Sequence, residues 1–128
     1  MILGIGTDIC ALERIQKMLE GSKRELFLKK TYTPLEISAA PGAKAEVAYF
    51  AGRWAAKEAV AKALGTGFGA QCSWLGIEIL RKPSGAPEII LSGSASLSSD
   101  NLGVTDWHLT ISHERSHAVA FAIAEKNA

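Results

Sequence analysis

Apolar and polar positions alternate with two different periods along the chain, and each period predicts one type of secondary structure. In the opening residues 2–9, Ile5 and Ile9 share one face while Gly4 and Gly6 share the other. This period of two predicts a β-strand. Glycines inside a strand are typical of places where another backbone or a ligand approaches closely. The glycine face of this strand is therefore expected to lie close to another backbone or to a ligand, and the alternative is an ordinary glycine-rich edge strand.

A period of three to four residues follows and predicts helices. The first helix covers residues 11–20, where the apolar side chains form one stripe. A second begins at Thr33, because Pro34 suits the first turn and Glu36 completes a capping box. After a Pro-Gly interruption, a long helix is predicted over residues 43–64. One side of this helix carries only small residues, which lets another element approach closely: Gly52, Ala55, Ala56, Ala59 and Ala63.

The second half of the chain predicts two pairs of strands separated by one helix. The strands are 74–81 and 86–91 around a turn at 82–85, then 107–112 and 116–124, with a helix over 94–102 that Ser94 caps. The predicted order is therefore β-α-α-α-β-β-α-β-β. This order is typical of an α+β fold in which a mostly antiparallel sheet packs on the long helix.

Composition narrows the class of protein. The 128 residues correspond to about one domain, residues 1–128, and a net charge of +1 argues against a general nucleic-acid or membrane-binding surface. No apolar run approaches the ~20 residues of a membrane helix, and the first residues lack the features of a secretory signal. Cys10 and Cys72 form no zinc-binding pattern. We expect both to be buried thiols in a cytoplasmic protein.

Two acidic residues and a lysine are candidates for metal-dependent chemistry. Asp8 ends the glycine face of the first strand, while Glu58 and Lys62 stand one turn apart on the long helix. If the helix crosses the end of the strand, the two carboxylates suit Mg²⁺, which prefers oxygen ligands and often takes phosphates as well. Lys62 then lies where phosphate charge accumulates. Two alternatives stay open: Asp8 as the N-cap of the next helix, and Glu58 with Lys62 as a surface ion pair.

Several basic residues each have two interpretations. Arg14, Lys17 and Arg24 lie on the first helix and just after it, either as a solvated face or as a basic patch for an acidic partner. His113, at a strand end, is either an anion contact or an exposed turn residue. Its neighbour Ser112 does not indicate a serine hydrolase, because adjacent side chains on a strand point to opposite faces.

Two motifs carry a resemblance to a known family. Residues 4–9 (GIGTDI) and 53–67 (RWAAKEAVAKALGTG) resemble the signatures of holo-[acyl-carrier-protein] synthases, the short bacterial class of 4′-phosphopantetheinyl transferase. Thr33 with Glu36, and His113 with the serine before it, also fit, so that the resemblance covers nearly the whole chain. It implies the 4′-phosphopantetheinyl transferase fold. It also implies transfer of 4′-phosphopantetheine from coenzyme A to a serine of apo-acyl carrier protein, which yields adenosine 3′,5′-bisphosphate and supports fatty acid biosynthesis.

The resemblance assigns the reacting residues. It implies that Asp8 and Glu58 hold Mg²⁺, which also binds the pyrophosphate of coenzyme A, and that Lys62 steadies or protonates the departing phosphate. Lys57 is expected to help hold the pyrophosphate. The general base is either Glu58 itself or a metal-bound water, and both alternatives stay open.

The resemblance also assigns the residues that bind coenzyme A. Lys44, Arg53 and His113 match the basic residues and the histidine that bind its 3′-phosphate. Pro83 and Gly85 correspond to the turn near the adenine.

Protein partners are the last implication. Arg14, Lys17 and Arg24 match the basic first helix on which the family docks its small, acidic carrier protein. The family forms homotrimers with each active site between two subunits, and the hydrophobic fraction of 48% is compatible with a covered apolar surface. Two other functions stay open. One is a non-catalytic trimeric module that binds carrier protein or coenzyme A, and the other is a different Mg²⁺-dependent enzyme that acts on a nucleotide diphosphate.

Overall fold

Ten elements of secondary structure follow one another in a computed structural model that describes residues 1–128. In chain order they are β1 (Ile2–Ala11), α1 (Leu12–Glu20), α2 (Arg24–Thr31), α3 (Pro34–Ser38), α4 (Ala43–Leu64), β2 (Ile77–Arg81), β3 (Pro87–Leu91), α5 (Gly93–Leu102), β4 (Asp106–His113) and β5 (His117–Glu125). A three-stranded antiparallel sheet has the order β1-β5-β4, and β2 and β3 form a separate antiparallel hairpin. The α+β class, with antiparallel sheet packed on the long helix, is confirmed.

The predicted helices are present, and one more helix accompanies them. Helix α4 has the predicted bounds and ends at Gly65, whose φ of 79° is the left-handed conformation that glycine adopts readily. Thr33 and Glu36 form the predicted capping box at α3. Four helices rather than three lie between β1 and β2, because the sequence analysis missed α2. The apolar residues of α2 are consecutive and no side chain caps it, so neither periodicity nor capping marks it.

Several predicted boundaries shift by one to three residues. The strand expected from residue 74 begins at Ile77, because the residues before it form a turn in which the N–H of Gly76 donates to Ser73. Helix α5 begins at Gly93, and Ser94 does not cap it. Asp8 does not cap α1 either, since β1 continues to Ala11 and the helix starts after it. The N-cap interpretation of Asp8 is therefore wrong.

The glycine face of β1 packs directly on the small-residue side of α4. A Cβ added at Gly4 would lie 2.0 Å from the carbonyl oxygen of Ala63, and one added at Gly6 would lie 2.0 Å from that of Ala59. No real side chain tolerates such a distance. The close approach predicted from the two patterns is confirmed, and it brings the end of β1 beside the second half of α4.

The first half of α4 packs on the opposite edge of the sheet. A Cβ added at Gly52 would lie 3.0 Å from the Cγ2 atom of Ile111 on β4. Helix α4 therefore crosses the sheet obliquely, from β4 to β1. Most of its side chains are buried, including Phe50 and Val60. Cys10 and Cys72 are buried free thiols, as predicted. No helix is both long and apolar enough to cross a bilayer.

The other face of the three-stranded sheet has no covering element. Ile5 and Ile9 on β1 remain 60% and 66% exposed, and Val119 and Phe121 on β5 are about 40% exposed. Ile9 pairs with Val119 across the two strands, so these side chains form one continuous apolar surface. We call this surface the outer sheet face.

Candidate active site

Asp8, Glu58 and Lys62 lie together where β1 meets α4, and we call this group the carboxylate edge. The Lys62 ammonium donates to the Thr7 carbonyl oxygen at 2.9 Å and to Asp8 Oδ1 at 3.2 Å. The Asp8 side chain is only 17% exposed, whereas that of Lys62 is 51% exposed and retains access to solvent. Lys62 pairs with Asp8 instead of with Glu58, so the predicted surface pair along the helix does not form.

Electrostatics at the carboxylate edge favour a cation. Partial burial raises the pKa of Glu58 above its ordinary value, and the nearby Asp8 carboxylate raises it further. Lys62 and Arg14 oppose this shift only in part. Two neighbouring carboxylates thus repel each other, and a divalent ion would relieve that repulsion.

The donor set at this edge fits Mg²⁺. Asp8 and Glu58 offer hard oxygen ligands, and no cluster of three or more His, Cys, Asp or Glu side chains is available to hold a metal ion. Mg²⁺ is commonly held by one or two carboxylates, with water and substrate phosphates as its other ligands, rather than by an all-protein cage.

A basic cavity of about 790 Å³ lies on the other side of α4. Its walls are the start of α4, the segment before it, the end of β4 and the far end of the β2–β3 hairpin. Four of the predicted ligand-binding residues line it: Lys44, Arg53, Gly85 and His113. Pro83 is not part of the wall, although it lies in the same turn as Gly85.

Arg81 is a further basic residue of this cavity that the sequence analysis missed. It is the last residue of β2, next to the turn already assigned to the adenine. Its position directly before that turn could have marked Arg81 as a candidate for binding coenzyme A. No acidic residue lines the cavity, so its positive charges have no counter-charge within the wall.

Arg53 is the most buried cation of the basic cavity. Only 7% of it is exposed, its guanidinium lies 4.0 Å from the centre of the Tyr49 ring, and its Nε has no hydrogen-bond partner. Burial lowers the pKa of Arg53, and the positive charge of Arg81 acts in the same direction. A buried guanidinium with an unpaired N–H beside a second cation is suited to binding an anion.

Lys57 reaches neither the carboxylate edge nor the basic cavity. Its side chain is fully buried, and its ammonium donates to Glu36 Oε1 at 2.8 Å, to the Trp74 carbonyl oxygen at 2.9 Å and to the carbonyl oxygen of Ile77. These three acceptors use all three protons of the ammonium. The expected contact of Lys57 with a pyrophosphate does not fit this placement.

Glu36 completes the buried pair from the other side. Its carboxylate also accepts the backbone N–H groups of Thr33 and Ile79, each at 2.8 Å. Lys57 and Glu36 therefore tie α3 and α4 to β2, the first strand of the hairpin that forms one wall of the basic cavity.

The single chain does not bring the carboxylate edge and the basic cavity into one pocket. Asp8 lies on the edge strand β1 and His113 on the opposite edge strand β4, with β5 between them. Two strand spacings amount to about 10 Å, and α4 crosses the sheet between the two groups. No residue of the carboxylate edge lines the basic cavity.

The three predicted docking residues all have partners within the chain. The Arg14 guanidinium lies 4.9 Å from the centre of the Trp54 ring, and Lys17 pairs with Glu13 at 3.4 Å. Arg24 donates two hydrogen bonds to the Glu46 carboxylate, at 2.7 and 3.2 Å.

Comparison with known proteins identifies the family of this chain. A sequence model of the 4′-phosphopantetheinyl transferase superfamily matches residues 4–122. A holo-[acyl-carrier-protein] synthase of Maridesulfovibrio salexigens is 45% identical over 126 residues, which cover 98% of this chain and 100% of that protein. The chain belongs to the 4′-phosphopantetheinyl transferase superfamily.

Two solved structures show the same fold. The holo-[acyl-carrier-protein] synthase of Neisseria meningitidis has a TM-score of 0.89 at 38% identity, covering 98% of this chain and 100% of that one. The holo-(acyl-carrier-protein) synthase of Bacillus anthracis, in complex with CoA (3′,5′-ADP), has a TM-score of 0.83 at 37% identity and 99% coverage of both chains. The resemblance inferred from the two motifs is thus confirmed.

Proposed function

We propose that the chain is a holo-[acyl-carrier-protein] synthase that transfers 4′-phosphopantetheine from coenzyme A to a serine of apo-acyl carrier protein. The observation that carries this proposal is that α4, which contains the family signature, supplies one side of both the carboxylate edge and the basic cavity. The carboxylate edge suits the reacting pyrophosphate of coenzyme A, and the basic cavity suits its 3′-phosphate. The holo-carrier protein formed would serve fatty acid biosynthesis.

Asp8 and Glu58 are the residues that would hold Mg²⁺. When bound there, the ion supplies charge neutralisation for the pyrophosphate of coenzyme A. The fold itself positions the two carboxylates, because the packing of Gly6 on α4 holds Asp8 beside the helix that carries Glu58.

Lys62 is suited to the leaving group. In the proposed reaction, the serine hydroxyl gives its proton to Glu58 or to a water molecule, and its oxygen forms a bond to the β-phosphorus. The bond from that phosphorus to the bridging oxygen breaks, and adenosine 3′,5′-bisphosphate departs. The half-exposed side chain of Lys62 can turn its ammonium from Asp8 to the α-phosphate, whose negative charge increases as it leaves.

The basic cavity is suited to the adenosine end of coenzyme A. Lys44, Arg53 and His113 would bind the 3′-phosphate, with Gly85 beside the adenine. A phosphate dianion would give the cavity the counter-charge that its own residues lack.

We further propose a homotrimer with its active sites between subunits. The outer sheet face exposes Ile5, Ile9, Val119 and Phe121, and a copy of the chain would cover them. The separation of the two groups supports the same arrangement. In a closed ring, the β1 edge of one subunit can meet the β4 side of the next, which joins a carboxylate edge to a basic cavity.

Arg14, Lys17 and Arg24 are proposed contacts for the acidic carrier protein, as part of a basic surface on α1 and α2. The buried free thiols Cys10 and Cys72 are compatible with a cytoplasmic setting.

One assay tests the proposed function. The purified chain is incubated with coenzyme A, Mg²⁺ and apo-acyl carrier protein, and the carrier protein is then weighed by mass spectrometry. We expect a gain of one phosphopantetheine group, abolished by a chelator and by replacement of the acceptor serine with alanine. A carrier protein that binds without gaining mass would indicate a non-catalytic module, and neither gain nor binding would indicate a different substrate.

A further inference from the structure

Arg53 carries its charge in the wall of the basic cavity without an acidic partner. It forms no ion pair, its Nε has no hydrogen-bond partner, and only 7% of the residue is exposed. Holding an arginine side chain in one rotamer costs conformational entropy, so another contact must offset this cost. The contact that fixes the guanidinium therefore matters for anion binding in the cavity.

The ring of Tyr49 is the contact that holds this guanidinium. Tyr49 lies one helical turn before Arg53 on α4, and the guanidinium carbon lies 4.0 Å from the centre of its ring. The quadrupole of an aromatic ring attracts a cation at this distance, and the attraction is stronger where water is excluded. Both residues line the basic cavity, so their contact is part of its wall.

The Tyr49 ring is itself fixed at two points. Its hydroxyl donates to the backbone carbonyl oxygen of Glu36 at 2.6 Å, and the Phe50 ring packs edge-on against it with centres 5.0 Å apart. Burial raises the pKa of the Tyr49 hydroxyl, so this group keeps the proton that it donates. The side chain of Glu36 is bonded to Lys57 and to the N–H of Ile79. The hydroxyl is therefore anchored to a residue that other contacts already hold in place.

We propose that Tyr49 is a positioning residue that orients the Arg53 guanidinium toward the 3′-phosphate of coenzyme A. A ring holds a cation without using any of its hydrogen-bond donors, so the Nε–H of Arg53 stays available for the phosphate. A carboxylate in the place of the ring would compete with the phosphate for the same donors. The inference rests on the proposed function, since it names a residue that sets the affinity for that reaction's donor substrate.

Two substitutions of the ring test this role, with the other tyrosine of the chain as the control. Tyr49→Leu removes the aromatic ring, whereas Tyr49→Phe keeps it and removes only the anchoring hydroxyl. Tyr32→Phe is the matched control, because the Tyr32 hydroxyl also donates to a backbone carbonyl oxygen at 2.6 Å but its ring does not carry Arg53. Thermal unfolding checks that the two hydroxyl losses have similar effects on stability.

The kinetic constants for coenzyme A should separate the variants. We expect Tyr49→Leu to raise the KM for coenzyme A about tenfold, as for a desolvated cation–π contact, and to change kcat less than about twofold. Tyr49→Phe should raise that KM about threefold, and Tyr32→Phe less than about 1.5-fold. With 3′-dephospho-coenzyme A, which lacks the phosphate, every variant should match the wild type.

A double variant tests whether Tyr49 acts through Arg53. In an Arg53→Met background, Tyr49→Leu should not raise the KM for coenzyme A any further, because the cation that the ring positions is absent. A further rise there, or an equal rise with 3′-dephospho-coenzyme A, overturns the inference and places the ring against the adenosine or makes its role merely structural. If Tyr49→Leu does not fold, Tyr49→Phe carries the same comparisons.

Other outcomes also overturn the inference. It fails if neither Tyr49 variant raises the KM for coenzyme A, or if Tyr32→Phe raises it as much as Tyr49→Phe does. Absence of transfer by the wild type would instead defeat the proposed function. In that case, titration calorimetry with adenosine 3′,5′-bisphosphate and adenosine 5′-monophosphate decides for Tyr49. Weaker binding by Tyr49→Leu of the bisphosphate alone supports its role, and any other result, including absent binding, overturns it.

Discussion

The carboxylate edge and the basic cavity flank the same helix, yet they are built in different ways. Asp8, Glu58 and Lys62 come from two adjacent segments and occupy an open edge of the sheet. The basic cavity is formed by three separate parts of the chain, residues 39–53, 80–87 and 111–113, and has no acidic residue in its wall. In the proposed function, this difference corresponds to reacting groups at one side of α4 and binding of the adenosine end of coenzyme A at the other.

The largest expected effect concerns the buried ion pair of Lys57 and Glu36, which joins α4 to α3 and β2. Lys57→Met leaves the Glu36 carboxylate buried and unpaired, so the free energy of unfolding should fall by about 3–5 kcal/mol. Urea denaturation measures this loss, and the double variant Lys57→Met/Glu36→Gln should recover part of it. A Lys57→Met protein of wild-type stability that binds coenzyme A poorly would instead restore Lys57 as a pyrophosphate contact.

The next variant separates the carboxylate edge from the basic cavity. Glu58→Gln keeps the shape of the side chain but removes its charge, and turnover should fall at least about a hundredfold, since a metal site supplies several kcal/mol. Asp100→Asn, exposed on α5, is the matched control. Turnover is measured across a Mg²⁺ titration. Full activity of Glu58→Gln at limiting Mg²⁺ would remove Glu58 from the metal site.

The complementary variant affects the basic cavity alone. His113→Ala should raise the KM for coenzyme A about tenfold and change kcat less than about threefold, because a contact to the 3′-phosphate is formed equally before and during the reaction. With 3′-dephospho-coenzyme A as substrate, the variant and the wild type should differ little. A loss confined to kcat would place His113 at the reacting atoms instead.

The smallest expected effect is a pH-dependent one at the start of α4. The two hydrogen bonds from Arg24 lower the pKa of Glu46 in the folded state. The pair therefore stabilises the fold above the ordinary carboxyl pKa, and this contribution is lost as the pH falls through the lowered value. Glu46→Gln should cost about 0.5 kcal/mol of unfolding free energy at pH 7 and progressively less below pH ~4. A cost that does not change with pH would rule out the ion pair as its cause.

Local patterns predicted the elements and the carboxylate edge well. Glycine spacing in β1 and small-residue spacing in α4 each indicate a bare surface, and packing one on the other brings Asp8 near Glu58. The capping box of Thr33 and Glu36 is likewise a short-range signal. Such features depend on residues a few positions apart, which is the range at which periodicity carries information.

Features that depend on distant parts of the chain were not predictable in the same way. The helical period gives the direction of Lys57 but not the identity of its partner, Glu36, which lies on another helix. Arg81 joins the basic cavity only because the hairpin folds back toward α4. Helix α2 has consecutive apolar residues, so tertiary packing rather than amphipathic spacing accounts for it.

The contact between Gly6 and Ala59 has a consequence for how this protein can change. A single methyl group at position 6 would collide with the backbone of α4 and push the edge strand outward. Asp8, two residues along, would move with it, so a residue with no functional groups of its own governs the spacing of two acidic ones. Tolerance to substitution should therefore be lowest at glycines such as Gly6, which carry no reactive side chain.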